Sequence, residues 1–254
     1  MRNLKIKIEY KGTNYCGWQT QKNNRNTRLQ TLQRKSIQEI IEEILQKILQ
    51  EKVKLISSGR TDAGVHALGQ VANFKTTSNI IPKRLQKSLN DLLPEDIVVS
   101  SVEEVGGDFH SRFNAKSKVY RYTILNRNYP SVFLKDTVYF YPYPLDIRLM
   151  RKESRVLIGR HDFKSFQASG KKEIDTIRTI KKIKILKNKD LIFVDIEGNG
   201  FLHNMVRSIV GTLLEIGRGR LRRGSLKKIL LSRDRKAAGP TLPARGLCLV
   251  KVNY

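Results

Sequence analysis

VYRYTIL, residues 119–125, sets Tyr120 and Tyr122 at alternate positions, the period of a half-buried β-strand. What it decides is where the pattern of the chain starts again. Upstream, residues 3–10 alternate Leu4, Ile6, Ile8 and Tyr10 as a first strand. Ile37, Ile40, Ile41, Ile44, Leu45, Ile48 and Leu49 then recur at helical spacing, the clearest amphipathic helix in the chain. VKLIS (53–57) and QVANF (70–74) read as strands. Pro82 opens a helix with Leu85, Leu89 and Leu92 on one face until Pro94 ends it, and IVVSSVEEV (97–105) is a further strand. The first pass spells β-α-β-β-α-β.

Downstream of VYRYTIL the same order recurs. LDIRLMRKESRVLIG (145–159) reads as a helix, strands are expected at about 178–186 and 191–196, and FLHNMVRSIVGTLLEIG (201–217) is a helix with Val206, Ile209, Val210 and Leu213 inward. A short basic helix near 225–231 is extra, HDFKSF (161–166) reads as a loop, and RGLCLVKVNY closes the chain as a strand. Residues 126–144, rich in Pro and Tyr, read as the connection. Two split βαβ units therefore follow one another without shared sequence. The expected fold is α+β: two ferredoxin-like halves, residues 1–110 and 111–254, joined into one mixed, largely antiparallel central sheet with helices on one face.

Composition narrows the function. The chain has 254 residues with Lys and Arg at 49 against 23 acids, a net charge of +26. Cations placed on phosphates release condensed counterions, so a polyanion is the natural partner. A lysine-rich surface accounts for KNK at 187–189, but IGRGRLRRGSLKKILLSRDRK (216–236) carries nine basic residues and one acid, where a solvated face would mix its signs. No window is apolar enough for a membrane span, and LKIKIEY reads as a strand rather than a signal peptide. Cys16 and Cys248 are too few for a disulfide framework and read as reduced thiols of a cytoplasmic protein. The four histidines stand far apart, with no CxxC or HExxH spacing, so no metal site is expected. No phosphate-cradling glycine motif points to ATP or a dinucleotide, so no cofactor is expected either. Any chemistry would fall to side chains alone.

One acid stands out in SSGRTDAGVHALGQ (57–70). Asp62 lies between Arg60 and Gly64, in a connection of about a dozen residues, long for a hairpin. On its own the loop favours an Asx turn. Arg60, two residues away, could instead pair with a functional carboxylate. Tyr120 and Tyr122 read as core or as a ring for stacking an extruded base. Arg207 reads as a snorkelling residue or as a buried partner awaiting a carboxylate. Trp18 reads as core or loop packing, with stacking on RNA as the minority reading.

These stretches together resemble the TruA-type tRNA pseudouridine synthases. The resemblance runs through YCGWQTQ, the Thr-Leu-Gln of KNNRNTRLQTLQRKSIQE, SSGRTDAGVHALGQVANF, LPEDI and FHSRFNAKSKVYRYTILN. It continues through GRHDFKSF, IRTI, GNGFLHNMVRSIVGTLLEIGRGR and AGPTLPARGLCLVKVNY. It implies a cofactor-free and metal-free homodimeric enzyme of pseudouridine synthase fold, which isomerises uridine in the anticodon stem-loop of tRNA at positions 38, 39 and 40. Carried over by motif, Asp62 would be the nucleophile and Arg207 its ion-pair partner. Tyr120 would contact the target base, Leu247 would line the pocket, and Arg60 would help admit and hold the flipped nucleotide. Cys248 stands where the family often has an aromatic residue. Two other classes stay in view: a catalytically silent RNA-binding protein, against which no RNP1-like run appears, and a nucleic-acid glycosylase that releases free base.

Overall fold

The computed structural model describes residues 1–19, 35–168 and 175–254. The Thr-Leu-Gln stretch at 31–33 lies outside the described residues. The rest forms two compact units, one of Met1–Ala115 with Leu249–Tyr254 and one of Lys116–Cys248.

The first unit opens with β1 (Arg2–Tyr10), followed by α1 (Ile37–Leu49). Ser36 caps α1 in a reciprocal box: its hydroxyl accepts from the Glu39 N–H, and the Glu39 carboxylate accepts from the Ser36 N–H. Then come β2 (Ile56–Ser57), β3 (His66–Thr76), α2 (Pro82–Leu92) and β4 (Ile97–Val105). Strand order is β4-β1-β3, with β1 antiparallel to both neighbours and β2 paired to β3. The C-terminal strand β10 (Leu247–Asn253) lies on the far side of β3. Gly69 permits that approach, because a Cβ there would stand 2.6 Å from the Val250 carbonyl oxygen. Leu4, Ile6 and Ile8 alternate into a core completed by Ile37, Ile41 and Leu45 of α1 and Leu85 and Leu89 of α2, all fully buried.

The second unit holds β5 (Ser117–Leu125), β6 (Tyr139–Phe140), α3 (Ile147–Ser154), β7 (Gly159–Asp162), β8 (Ile177–Asn188) and β9 (Leu191–Gly198). It ends with α4 (Met205–Gly217) and α5 (Ser225–Ser232). Strand order is β5-β9-β8-β7, antiparallel throughout, with β6 parallel to the end of β5. Tyr122, Ile124, Ile192, Val194 and Ile196 form the core with Met150 of α3 and Ile209 and Leu213 of α4. The opposite face of β5 and β9 is half-buried and carries an Arg121–Asp195 ion pair at 2.7 Å.

The α+β class expected from the sequence is the class observed. Four local expectations change. The strand at 53–57 contracts to Ile56–Ser57, while β3 starts early at His66 because Ala67 pairs with Tyr10, so the Asp62 connection is only 58–65. The helix expected from 201 starts at Met205, since Asn204 adopts a left-handed φ of 62°. The helix expected over 145–159 closes at Ser154 and tightens into a 3-10 turn over Arg155–Leu157. β6 and β7 arise in segments read as connection and loop, because edges of β5 and β8 were available for pairing.

Candidate active site

The Asp62 loop is built from both ends of its own unit. Ser58 N–H donates to the Val71 carbonyl at 2.8 Å, and the Ser58 hydroxyl donates to Gln70 Oε1 at 2.7 Å. Gln70 in turn donates to the Gly59 carbonyl at 2.9 Å. The loop closes on itself where Val65 N–H donates to the Asp62 carbonyl at 3.1 Å, a turn that places Gly64 at a φ of 76°. The backbone of Asp62 thus lies in a turn, and its side chain is half-buried.

YCGWQ supplies the floor under that turn. Buried Thr61 meets the Tyr10 phenol at 2.8 Å, and its carbonyl accepts the Trp18 N–H at 3.0 Å. The Gly17 and Trp18 carbonyls accept from Ile37 and Gln38 at 3.1 and 3.0 Å, so the first turn of α1 is tied to the same segment. Gly17 cannot be replaced without movement, since a Cβ there would meet the Thr61 carbonyl oxygen at 2.7 Å. Trp18 is fully buried, as read from the sequence. LPEDI plays a matching role: Asp96 accepts from the Tyr15 phenol and from Asn14 Nδ2, and its carbonyl accepts from Lys11 N–H. Burial, reinforced by that carboxylate, pushes the Tyr15 phenol well above its ordinary pKa. Arg60 is exposed and pairs with no carboxylate among the described residues, so the pairing with Asp62 that its spacing allows is not formed.

The second unit holds Tyr120, Arg207 and the segment leading to Leu247, and it is Tyr122 that lies near Arg207 and that segment. Tyr120 and Tyr122 point to one face of β5. The Tyr120 ring, 8% exposed, meets Phe201 edge-on with centroids 5.2 Å apart. Arg207 is neither snorkelling nor loose. Its Nε donates to the Leu242 carbonyl at 2.6 Å, and another guanidinium nitrogen donates to Asn204 Oδ1 at 2.6 Å. The neighbouring peptide takes Tyr122, whose phenol donates to the Pro243 carbonyl at 2.8 Å. Burial pushes that phenol's pKa far up, against the opposing charge of Arg207. Gly246 packs against the Tyr122 ring, where a Cβ would lie 2.5 Å from the ring carbon bearing the hydroxyl, and Leu247 follows it, buried.

The strap AGPTLPARG (238–246) is therefore a positioning device laid over α4. Gly239 N–H donates to Thr212 Oγ1 at 2.9 Å, and Thr241 meets Ser208 at 3.0 Å. Arg235 donates to the Gly239 carbonyl and to Thr241 Oγ1, both at 2.9 Å. Sequence reasoning missed Asn204, Phe201 and this strap. Asn204 carried a signal, since an amide three residues before a helical arginine can reach it. The strap stood out only as a stretch of the resemblance; its contacts were not legible, because its partners lie some thirty residues upstream. Among the described residues no three His, Cys, Asp or Glu side chains gather as metal ligands. Nor is any helix among them long and apolar enough to cross a membrane.

A family profile described as tRNA pseudouridine synthase matches residues 6–114 and 154–254, which covers the Asp62 loop, α4 and the strap. Tyr120 falls between the matched segments. The chain is 46% identical to tRNA pseudouridine synthase A of Thermoanaerobacter sp. (strain X514), with both chains covered in full. It is 46% identical to the protein of the same name from Acetivibrio thermocellus and 45% to that from Clostridium acetobutylicum, again across the full length of each chain. With the loop, the arginine helix and the strap all inside aligned segments, the chain belongs to the tRNA pseudouridine synthase family.

Proposed function

We propose that this protein isomerises uridine to pseudouridine in the anticodon stem-loop of tRNA, at positions 38, 39 and 40. It acts as a cytoplasmic homodimer and needs no cofactor. The observation that carries the reading is the Asp62 loop: a half-buried carboxylate on a turn held by Val65, Thr61 and the Gly17–Trp18 segment. In a family whose reaction must break a glycosidic bond, such a fixed carboxylate is the group to do it.

The reaction conserves atoms. The N1–C1′ bond breaks, the base turns within the pocket, C5 bonds to C1′, and the C5 proton leaves as N1 gains one. Asp62 serves as the nucleophile. Its anion can attack C1′ or C6, or stabilise a developing sugar cation as a glycosidase carboxylate does. Arg207 is the ion-pair partner of that anion, its fork aimed by Asn204 and the Leu242 carbonyl. Tyr120 and Leu247 confine the detached base so that it recombines, and exposed Arg60 receives the phosphate side of the flipped nucleotide.

Tritium release from tRNA labelled at uridine C5 tests this. Wild type should release tritium and Asp62→Ala none, with tRNA binding retained. Turnover by the variant would sink the nucleophile assignment. Free uracil among the products would favour a glycosylase, and binding without release by wild type would favour a silent RNA binder.

A further inference from the structure

The +26 charge hides a division of labour in the basic run after α4. Three of its arginines are committed internally. Arg218 pairs with Glu215 at 3.2 Å, Arg233 pairs with Asp162 at 3.0 Å, and Arg235 holds the strap. Arg220, Arg222, Arg223, Lys227 and Lys228 are different: all are exposed, and none makes a side-chain hydrogen bond or ion pair among the described residues, although Arg220 lies near enough to the Tyr141 phenol to act on it electrostatically.

Their backbone is fixed, which a merely solubilising tail would not require. At the end of α4, Gly219 N–H donates to the Ile216 carbonyl at 3.0 Å, and Arg220 and Leu221 N–H donate to the Glu215 carbonyl at 3.0 and 3.1 Å. Gly219 and Gly224 both adopt left-handed φ, of 80° and 83°, and nothing lies within 4 Å of where their Cβ atoms would be. Glycine is there for the bend, not for space. The far end of the arch is pinned by Glu153, a carboxylate on a residue only 6% exposed, whose two oxygens each accept the Gly224 N–H at 3.0 Å. Next to it, α5 buries Leu226, Ile229 and Leu230 and turns Lys227 and Lys228 outward.

We propose that the arch 220–223 and the outer face of α5 form a docking surface for the phosphate backbone of the tRNA substrate. This surface is separate from the residues that handle the target base. It lies beyond the end of α4 opposite Arg207; the last residue of that helix, Gly217, is ten residues and so roughly 15 Å further along the axis. Phosphates there fall outside the flipped nucleotide and carry no sequence information; they set register and orientation. The proposal rests on the tRNA reading above, and fixes where that RNA is gripped.

The test is a triple variant, Arg220→Ala/Arg222→Ala/Arg223→Ala, beside a charge-matched control on β8, Lys181→Ala/Lys184→Ala/Lys187→Ala. Affinity for unmodified tRNA is measured from about 0.05 to 0.2 M salt, and tritium release under saturating tRNA. Each phosphate contact contributes close to one unit of the log–log salt slope. The arch variant should lose roughly 2 to 3 units of slope and bind about tenfold or more weakly near 0.1 M salt, with kcat retained. The control should keep the wild-type slope. Equal losses in both variants, an unchanged slope in the arch variant, or a loss confined to kcat would overturn the proposal. If wild type binds tRNA with a steep slope that the arch variant lowers, yet releases no tritium, the isomerase reading fails and the docking surface stands.

Discussion

Gly211→Ala is the most discriminating perturbation of the strap that holds Arg207. A Cβ at Gly211 would stand 1.8 Å from the Pro240 carbonyl oxygen and 3.0 Å from its carbon. Ordinary contact begins near 3.5 Å, so the strap must withdraw by roughly 1.5 Å. The obstacle is backbone, which cannot swing aside as a side chain would. Overpacking costs about 1–3 kcal/mol, and this site belongs at the upper end. For a chain of this size, about 3 kcal/mol lowers Tm by roughly 6–12 °C.

The withdrawal also carries the Leu242 carbonyl away from Arg207 Nε, a bond of 2.6 Å, and breaks the Gly239–Thr212 bond. A displacement of about 1 Å in a positioning group costs on the order of a hundredfold in rate. The expected result is therefore two losses: a lower Tm, and a kcat for tritium release reduced about a hundredfold at a temperature where the variant is fully folded. Gly219→Ala is the control. It pays about 1–2 kcal/mol for a left-handed alanine but meets no atom, so kcat should hold. A Gly211→Ala protein with wild-type Tm and kcat would refute the strap as a positioning device. Equal kcat losses in the two variants would refute it as well.

Asn204→Gly keeps the left-handed backbone and removes the acceptor of Arg207; the loss of a charge-assisted bond worth about 1.5 kcal/mol predicts a roughly tenfold lower kcat with KM and Tm little changed. Full rate in that variant would show that Asn204 is not needed to aim the guanidinium. Tyr254 gives a prediction in pH. Burial pushes its phenol from 10.0 up to about 12 in the folded protein. A raised folded pKa means the protonated phenol contributes fully below pH 10, and that contribution is lost as pH climbs toward 12. Urea unfolding at several pH values should show wild type losing more stability across that window than Tyr254→Phe, because the other tyrosines are common to both. Parallel curves would deny Tyr254 the role.

Why some of this was readable and some not follows from where each signal resides. Leu4, Ile6 and Ile8, or Ile37, Ile41 and Leu45, announce their element through their own spacing, and the structure buries them as that spacing requires. Pro82 likewise fixes a helix start locally. β6 and β7 could not be read that way. Two and four residues long, they are strands only because β5 and β8 offer an edge. Arg207 shows the same limit at the site. Apolar neighbours on its helix favoured snorkelling and left a buried partner as the alternative. What decides between them is the Leu242 carbonyl, delivered by a strap that Gly211 admits from thirty residues away.

Charge divides along the same line. Composition reports that cations are in excess, and the run 216–236 shows where they crowd. Glu215, three residues before Arg218, is a local hint, but composition cannot report which others remain available, because Arg233 looks no different in sequence from Arg222 and Arg223. The difference lies in Asp162, an acid placed beside Arg233 by the end of β7. A net charge therefore overstates the surface an RNA can use, and the useful part is what the fold has not already neutralised. Here the remainder is clustered on an arch held by a buried glutamate, which is why its removal should lower the salt slope when an equal charge lost from β8 does not.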